Sequence, residues 1–491
     1  MKRSIPVFLG LFLSLSQPAL GAILLQPADW PADPRLDPRL PVQSFKLNDF
    51  QAELDGQWQG SKVASDGNIY FFSSTHSGSA SANFFRFSPT TGTVTRLISN
   101  LSLALGQTNT GWNPGQAVPQ GKVHSAIVEH NGWLYAVGHL ADESRRVDWG
   151  GSHAFGYNMQ TGQVKDFGVL KTRYTSYSGI SVDPARNYLY VYGTPAYATE
   201  INDPSANGGP HMFRYDLAAA SAPYGKTDLG RINTTNPIYD NANFYQFTDS
   251  RGDTWFTMRN DVGALYKVPA GSTSYIRYAS VLPRSTDPVS GAVTANYSYW
   301  GWAQPTGDGN KFLFTQWGAG GLWLFDADKM ATDRTHAFSF IKHIGPTNLG
   351  VATDGENVYF TRQVTNLNNP NPHSAAVQGD ANHLMGLDLD TLAITDWGLI
   401  EDQMGRRPWR VESMCADGEG HVYFSGDWYL LEDPARPGQP AETGTFRYDP
   451  ATHLHDQTTR GQIFAVANVP EPAVMLVLSL GGLALLRRRR A

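Results

Sequence analysis

The chain has 491 residues, enough for a large core or for several domains, and a formal net charge of −6 with only 17 % charged residues. So mild a balance, with no basic patch before the last few residues, argues against nucleic acid as a partner. Its 49 glycines, 30 prolines and 12 % aromatics favour many short strands joined by turns, and helical periodicity is nearly absent.

In chain order, Lys2 and Arg3 give a positive start, Ile5 to Leu15 is mostly apolar, and Ala19-Leu20-Gly21 offers small residues where signal peptidase reads. Residues 1–21 are therefore predicted to be a signal peptide, cleaved before Ala22, with the body exported. Residues 22–48 follow no clear pattern and read as an irregular segment with room for one more strand. The single cysteine, Cys415, cannot form an internal disulfide, so stability must come from packing, and Cys415 is expected in the core.

From about Asp49 to Val466 one phrase recurs: an apolar strand, a turn such as Asp66-Gly67, a strand carrying an aromatic, a strand such as Phe213-Arg214-Tyr215-Asp216, then an outer strand. Tyr70, Tyr135, Tyr190, Trp255, Phe314, Tyr359 and Tyr423 hold the same place, at spacings of roughly 45 to 65 residues. Four-stranded units of this kind cannot bury both faces alone, and a radial arrangement solves that. The expected fold is all-β, a seven-bladed β-propeller over residues 49–466, with six or eight blades still open. The segment Gln462 to Val466 is expected to pair with the first blade and close the ring.

In a propeller, the start of each innermost strand and the loop after the second strand share one face. Extra length collects in that loop at 140–152, 193–211, 362–383 and 427–443, which points to a working face. Tyr177, Trp300, Trp317, Arg362, Trp409, Arg410 and Trp428 are predicted there, as rings that stack on sugars and arginines that grip carboxylates. Singly, such aromatics are more often packing between blades. The sharpest stretch is Lys122-Val123-His124 with Gly138-His139, which brings two histidines to one rim.

Blades two to four resemble secreted propeller polysaccharide lyases of the ulvan lyase type, which carry a comparable lysine–hydrophobic–histidine opening and a second histidine after the next strand. The resemblance implies His124 and His139 as an acid/base pair, Tyr192 as a helper, and Arg259 or Arg214 as the clamp on a uronic carboxylate. The tyrosine and the arginine do not align uniquely, because the loop 193–211 is enlarged. Two function classes follow: a display propeller that binds polysaccharide, or a lyase on the same fold. No cofactor is called for. His336, His343, His373, His453 and His455 make no recognisable metal set, although a structural ion stays open.

The end of the chain reads Pro470-Glu471-Pro472, an apolar run over 473–486, then Arg487, Arg488, Arg489 and Arg490. This order resembles the PEP-CTERM sorting signal over 469–491, which implies an exosortase-type partner and a cell-envelope or extracellular destination. The run reaches only about 21 Å at 1.5 Å per residue, short of a hydrocarbon core of about 30 Å. It is thus expected as a short transmembrane or sorting helix in the inner membrane before processing, with an interfacial or buried helix as the bland alternative.

Overall fold

Hairpins form where the repeated phrase places them, and in four of them a turn aspartate holds the recurring aromatic. At Ala64–Asn68, Gly67 takes a φ of +77°, which favours glycine. Asp66 accepts the N–H of Asn68 at 3.0 Å and the hydroxyl of Tyr70 at 2.8 Å. Asp354 accepts Tyr359 at 2.8 Å, Asp417 accepts Tyr423 at 2.7 Å, and Asp249 accepts the Trp255 indole N–H at 3.1 Å. The aromatic is thus held by both its ring, which is buried, and its polar tip.

The computed structural model describes residues 39–111, 113, 115–177, 179–196, 208–232, 245–258, 261, 263–286, 293–297, 300–316, 320–344, 350–363, 382–403, 406–431 and 458–469. The chain is an all-β propeller. The predicted signal peptide, the tail from Pro470 to Ala491, Arg259 and Trp317 lie outside the described residues. Among the described residues no helix is long and apolar enough to cross a membrane.

The expected seven separate blades are not what the sheets show. Five sheets of four or five strands stand alone, and eight further strands share one sheet. The first sheet runs Ser61–Val63, Ile69–Ser73, Asn83–Ser88, Thr93–Ile98, and the second Val128–His130, Trp133–Val137, His153–Asn158, Val164–Val169. The eight-stranded sheet contains two antiparallel runs of four, 351–402 and 408–468 with Arg39–Lys46, joined by the parallel pairing of residues 39–42 with residues 399–402.

Ring closure also differs from expectation. The last strand, Thr458–Asn468, pairs with His421–Leu431 on one side and with Arg39–Lys46 on the other, not with the first sheet. The segment expected to be irregular therefore supplies the closing strand. Arg39–Lys46 alternates inward Leu40 and Val42 with less buried neighbours, a period-2 pattern that Arg39 and Pro41 obscured. Against the first sheet the seam is aromatic: Phe464 stacks on Phe71 with centroids 4.2 Å apart and planes 5° from parallel. Each such buried ring contributes about 2–3 kcal/mol. Cys415 is buried beside them, as expected, and burial pushes its thiol up to about 12.

The hairpin turns share one face, because each touches its neighbour's. Glu129 accepts Ser65 N at 3.2 Å, His130 meets Asn187 at 2.7 Å, Arg186 donates to Arg251 O at 3.1 Å, and Ser250 donates to Asn310 at 2.6 Å. The opposite face, here called the rim, carries the ends of the second strands and their loops.

Candidate functional site

Lys122 and His139 form an isolated two-residue bridge at the rim: Lys122 N–H donates to His139 O at 3.1 Å and His139 N–H to Lys122 O at 2.7 Å. This pairing carries the His124 ring to the His139 ring, with centroids 4.5 Å apart. The predicted juxtaposition of the two histidines is therefore present. His139 is fully buried, and its Nδ1 lies 3.0 Å from Leu140 O. A carbonyl only accepts, so neutral His139 carries its proton on Nδ1 and a lone pair on Nε2. The Nε2 atoms of both rings are buried and have no hydrogen-bond partner.

Burial holds both imidazoles well below their ordinary pKa, aided by each other's charge at His124 and by the Lys122 charge at both. Both rings are neutral at pH 7. Arg146, in the loop 140–152, adds a further positive charge that bears on His139.

The pair is walled by aromatics. Trp58 lies flat on His124, centroids 4.3 Å apart and planes 5° from parallel. Tyr177 stands edge-on to both histidines, at 5.3 and 4.9 Å, so its predicted place at the rim holds. Lys122 Nζ lies 5.7 Å over the Trp58 ring. His76 meets the Trp58 edge at 5.2 Å and is oriented by Asp55, which lies 3.0 Å from its Nδ1 and accepts its backbone N–H.

Trp58, His76, Asp55 and Arg146 were not singled out from the sequence. Two signals were available: Trp58 immediately precedes the first innermost strand, as His124 does in the second unit, and His76 follows the second strand as His139 does.

A second polar cluster closes the neighbouring seam. Glu412, fully buried, accepts Gln57 N–H at 2.7 Å and pairs with Arg410, which also reaches Asp427 at 3.2 Å. Gln462 donates to Asp427. Burial and then the Asp427 charge raise the Glu412 carboxyl well above the usual range.

The remaining predicted residues divide. Tyr192 is fully buried among Met212 and Phe256, in the core rather than at the site. Arg214 donates to Gly271 O and Ser272 O at 3.1 and 3.2 Å, so it serves a turn and not a clamp. Trp300 packs on Phe247 at 5.0 Å and Trp428 on Phe424 at 6.3 Å; both are core, the bland reading of a lone aromatic. Arg410 is committed to two carboxylates, with Trp409 partly exposed beneath it at 5.2 Å. Arg362 is exposed, opposite His383 in register.

A repeated brace also went unseen. His153, His211 and His383 open third strands and point Nδ1 at Asp166, Asp228 and Asp396, at 3.0, 2.7 and 2.9 Å. Each aspartate also accepts the N–H of a glycine two residues on, Gly168, Gly230 and Gly398. These pairs pin the bulge where third and fourth strands part. Among the described residues no three metal-ligating side chains gather.

No family model and no curated protein matches the chain. Among solved structures it is similar to an oligogalacturonate lyase from Vibrio parahaemolyticus, at 9 % identity, over 88 % of this chain and 98 % of that one, TM-score 0.46. It is also similar to the Swd1 β-propeller domain of Myceliophteria thermophila, at 10 % identity, over 85 % and 97 %, TM-score 0.46. A fungal alcohol oxidase of the AA5 family matches at 10 % identity, over 88 % and 76 %, TM-score 0.48. Likeness at this level carries no argument about function.

Proposed function

We propose that this chain is an exported propeller whose rim cleaves a uronic-acid-containing polysaccharide by β-elimination. The reading takes the eight-stranded sheet as two blades, giving seven, and takes residues 1–21 and 469–491 as export and sorting signals. One observation carries the chemistry: two neutral histidines meet at the rim with their Nε2 atoms buried and unpartnered. Desolvating two imidazoles is costly, and a surface that only grips sugar has no need of it.

In the proposed reaction the substrate displaces the side chains over the pair, and the Nε2 lone pair of His139, buried in the free protein, takes the proton from the carbon next to the carboxylate. The carbon–oxygen bond beyond it breaks, a carbon–carbon double bond forms, and the leaving oxygen takes a proton from the Tyr177 hydroxyl, or from His124 once that ring has received the proton His139 took up. That carbon is acidic enough only when the carboxylate is offset, and Lys122 and Arg146 are the cations whose charges bear on the pair. Trp58 fixes the plane of His124.

A binding-only reading is favoured by the partly exposed rings of Trp58, Tyr177 and Trp409, which would grip glycan whether or not a proton moves. Mass analysis after incubation with uronic-acid polymers separates the two. Oligosaccharides one water lighter than hydrolysis products support the lyase; pull-down of a polymer that stays intact sinks it.

A further inference from the structure

Val469, where the described chain ends, is buried and donates its N–H to Gly420 O at 2.8 Å. Gly420 belongs to the turn between Pro408–Ala416 and His421–Leu431. Pro408 pairs with Trp428 and Arg410 with Asp427 at the far end of that hairpin, beside Glu412 and Gln57. Gln57 adjoins Trp58, and Trp58 stacks on His124. The chain therefore leaves the propeller through the face of the hairpin turns, and the histidine pair lies on the other.

The spacer that follows is short. Only Pro470, Glu471 and Pro472 separate Val469 from the apolar run that begins at Ala473 and ends in four arginines. Three residues, even fully extended, span only about 10 Å. Acidic Asp66, Asp390 and Glu419 and basic Arg186 and Arg251 are all exposed around the turn face, so its charge is mixed and the tail sets the approach.

We propose that while the tail is embedded in a bilayer the propeller stands on its turn face, within about 10 Å of the lipid surface, with the His124–His139 rim turned outward. The partner surface is lipid, and the consequence is access: a polymer in the medium reaches the rim without passing between protein and membrane. This rests on the reading of the tail as a membrane segment and is independent of whether the rim is catalytic.

The test uses the full chain reconstituted into phosphatidylcholine vesicles carrying an acceptor dye on the lipid headgroups. Two variants, each adding one exposed cysteine, take the donor: Glu419→Cys in the turn beside Gly420, and Ser79→Cys in the rim loop after Ile69–Ser73. Both positions are exposed, whereas native Cys415 is buried. Strands of this length separate the faces by about 20 Å, so energy transfer from position 419 is expected to be about twofold stronger than from position 79. Equal transfer, or stronger transfer from position 79, overturns the orientation. Vesicle flotation is read first: protein that stays at the bottom of the gradient overturns the tail reading and the orientation with it, while leaving rim activity to be judged separately.

Discussion

The indole of Trp58 lies 4.3 Å from the imidazole of His124, with the two planes only 5° from parallel. The rings come from neighbouring sheets, so the inter-blade seam itself sets the plane of one proposed proton-transfer group. Removing the indole frees His124 to rotate away from His139. Trp58→Ala is expected to lower turnover of the cleaved polymer by about 10- to 100-fold while the far-ultraviolet spectrum stays native. Trp58→Phe, which keeps a flat partner, should recover most of the rate.

The buried pair makes a pH prediction. Folded His124 and His139 have pKa values well below the unfolded value near 6.5, so below that pH the unfolded chain binds more protons than the folded one. Stability should then fall as pH drops through about 6 toward 5. In the double variant with both histidines changed to Gln, melting temperature should fall less over the same interval. An identical slope in both proteins would place the acid sensitivity elsewhere.

Asp417 works with the opposite sign. Its carboxyl is held down to about 2, against the cost of burial, by hydrogen bonds from the His421 ring, the His421 backbone and Tyr423, and His421 is raised in turn. The Asp417 contribution is present above about pH 4 and lost toward pH 2. The His421 contribution is full below about pH 6.5 and lost as pH rises through its higher folded value. Asp417→Asn should therefore cost about 1–2 kcal/mol, and more at pH 5.5 than at pH 8.5, measured by urea unfolding.

Glu412 joins the last innermost strand to the stretch that carries Trp58. Glu412→Ala leaves Arg410 and Gln57 N–H without this partner inside the protein and should destabilise by about 3–5 kcal/mol. Glu412→Gln keeps the acceptor for Gln57 and should cost less. If both variants unfold at the wild-type midpoint, the seam is not held there.

Much of the fold was legible because its repeat is physical. Asp66 and Tyr70 have counterparts in Asp249 and Trp255, Asp354 and Tyr359, and Asp417 and Tyr423, because the turn carboxylate caps the ring's polar tip, and that recurrence marks blades without any alignment. The closing strand was not legible, because Arg39–Lys46 makes sense only beside Thr458–Asn468, some 420 residues away. At the site, His124 and His139 could be placed since they flank one hairpin. Trp58, His76 and Arg146 come from other strands and loops, where neighbourhood depends on the ring being closed. Tyr192, Trp300 and Trp428 occupy similar positions along their strands but lie in the core; period alone does not separate rim from core.

In the proposed function the His124–His139 pair removes a proton from a uronic acid residue. The direct measurement is the ultraviolet absorbance of the unsaturated product, followed while the purified body acts on a panel of uronic-acid polymers, for the wild type, His124→Ala and His139→Ala. Absorbance should grow steadily with at least one polymer, and its rate should drop about 100-fold or more in each variant. Equal rates in the variants, or no product from any polymer that the wild type binds, would contradict it.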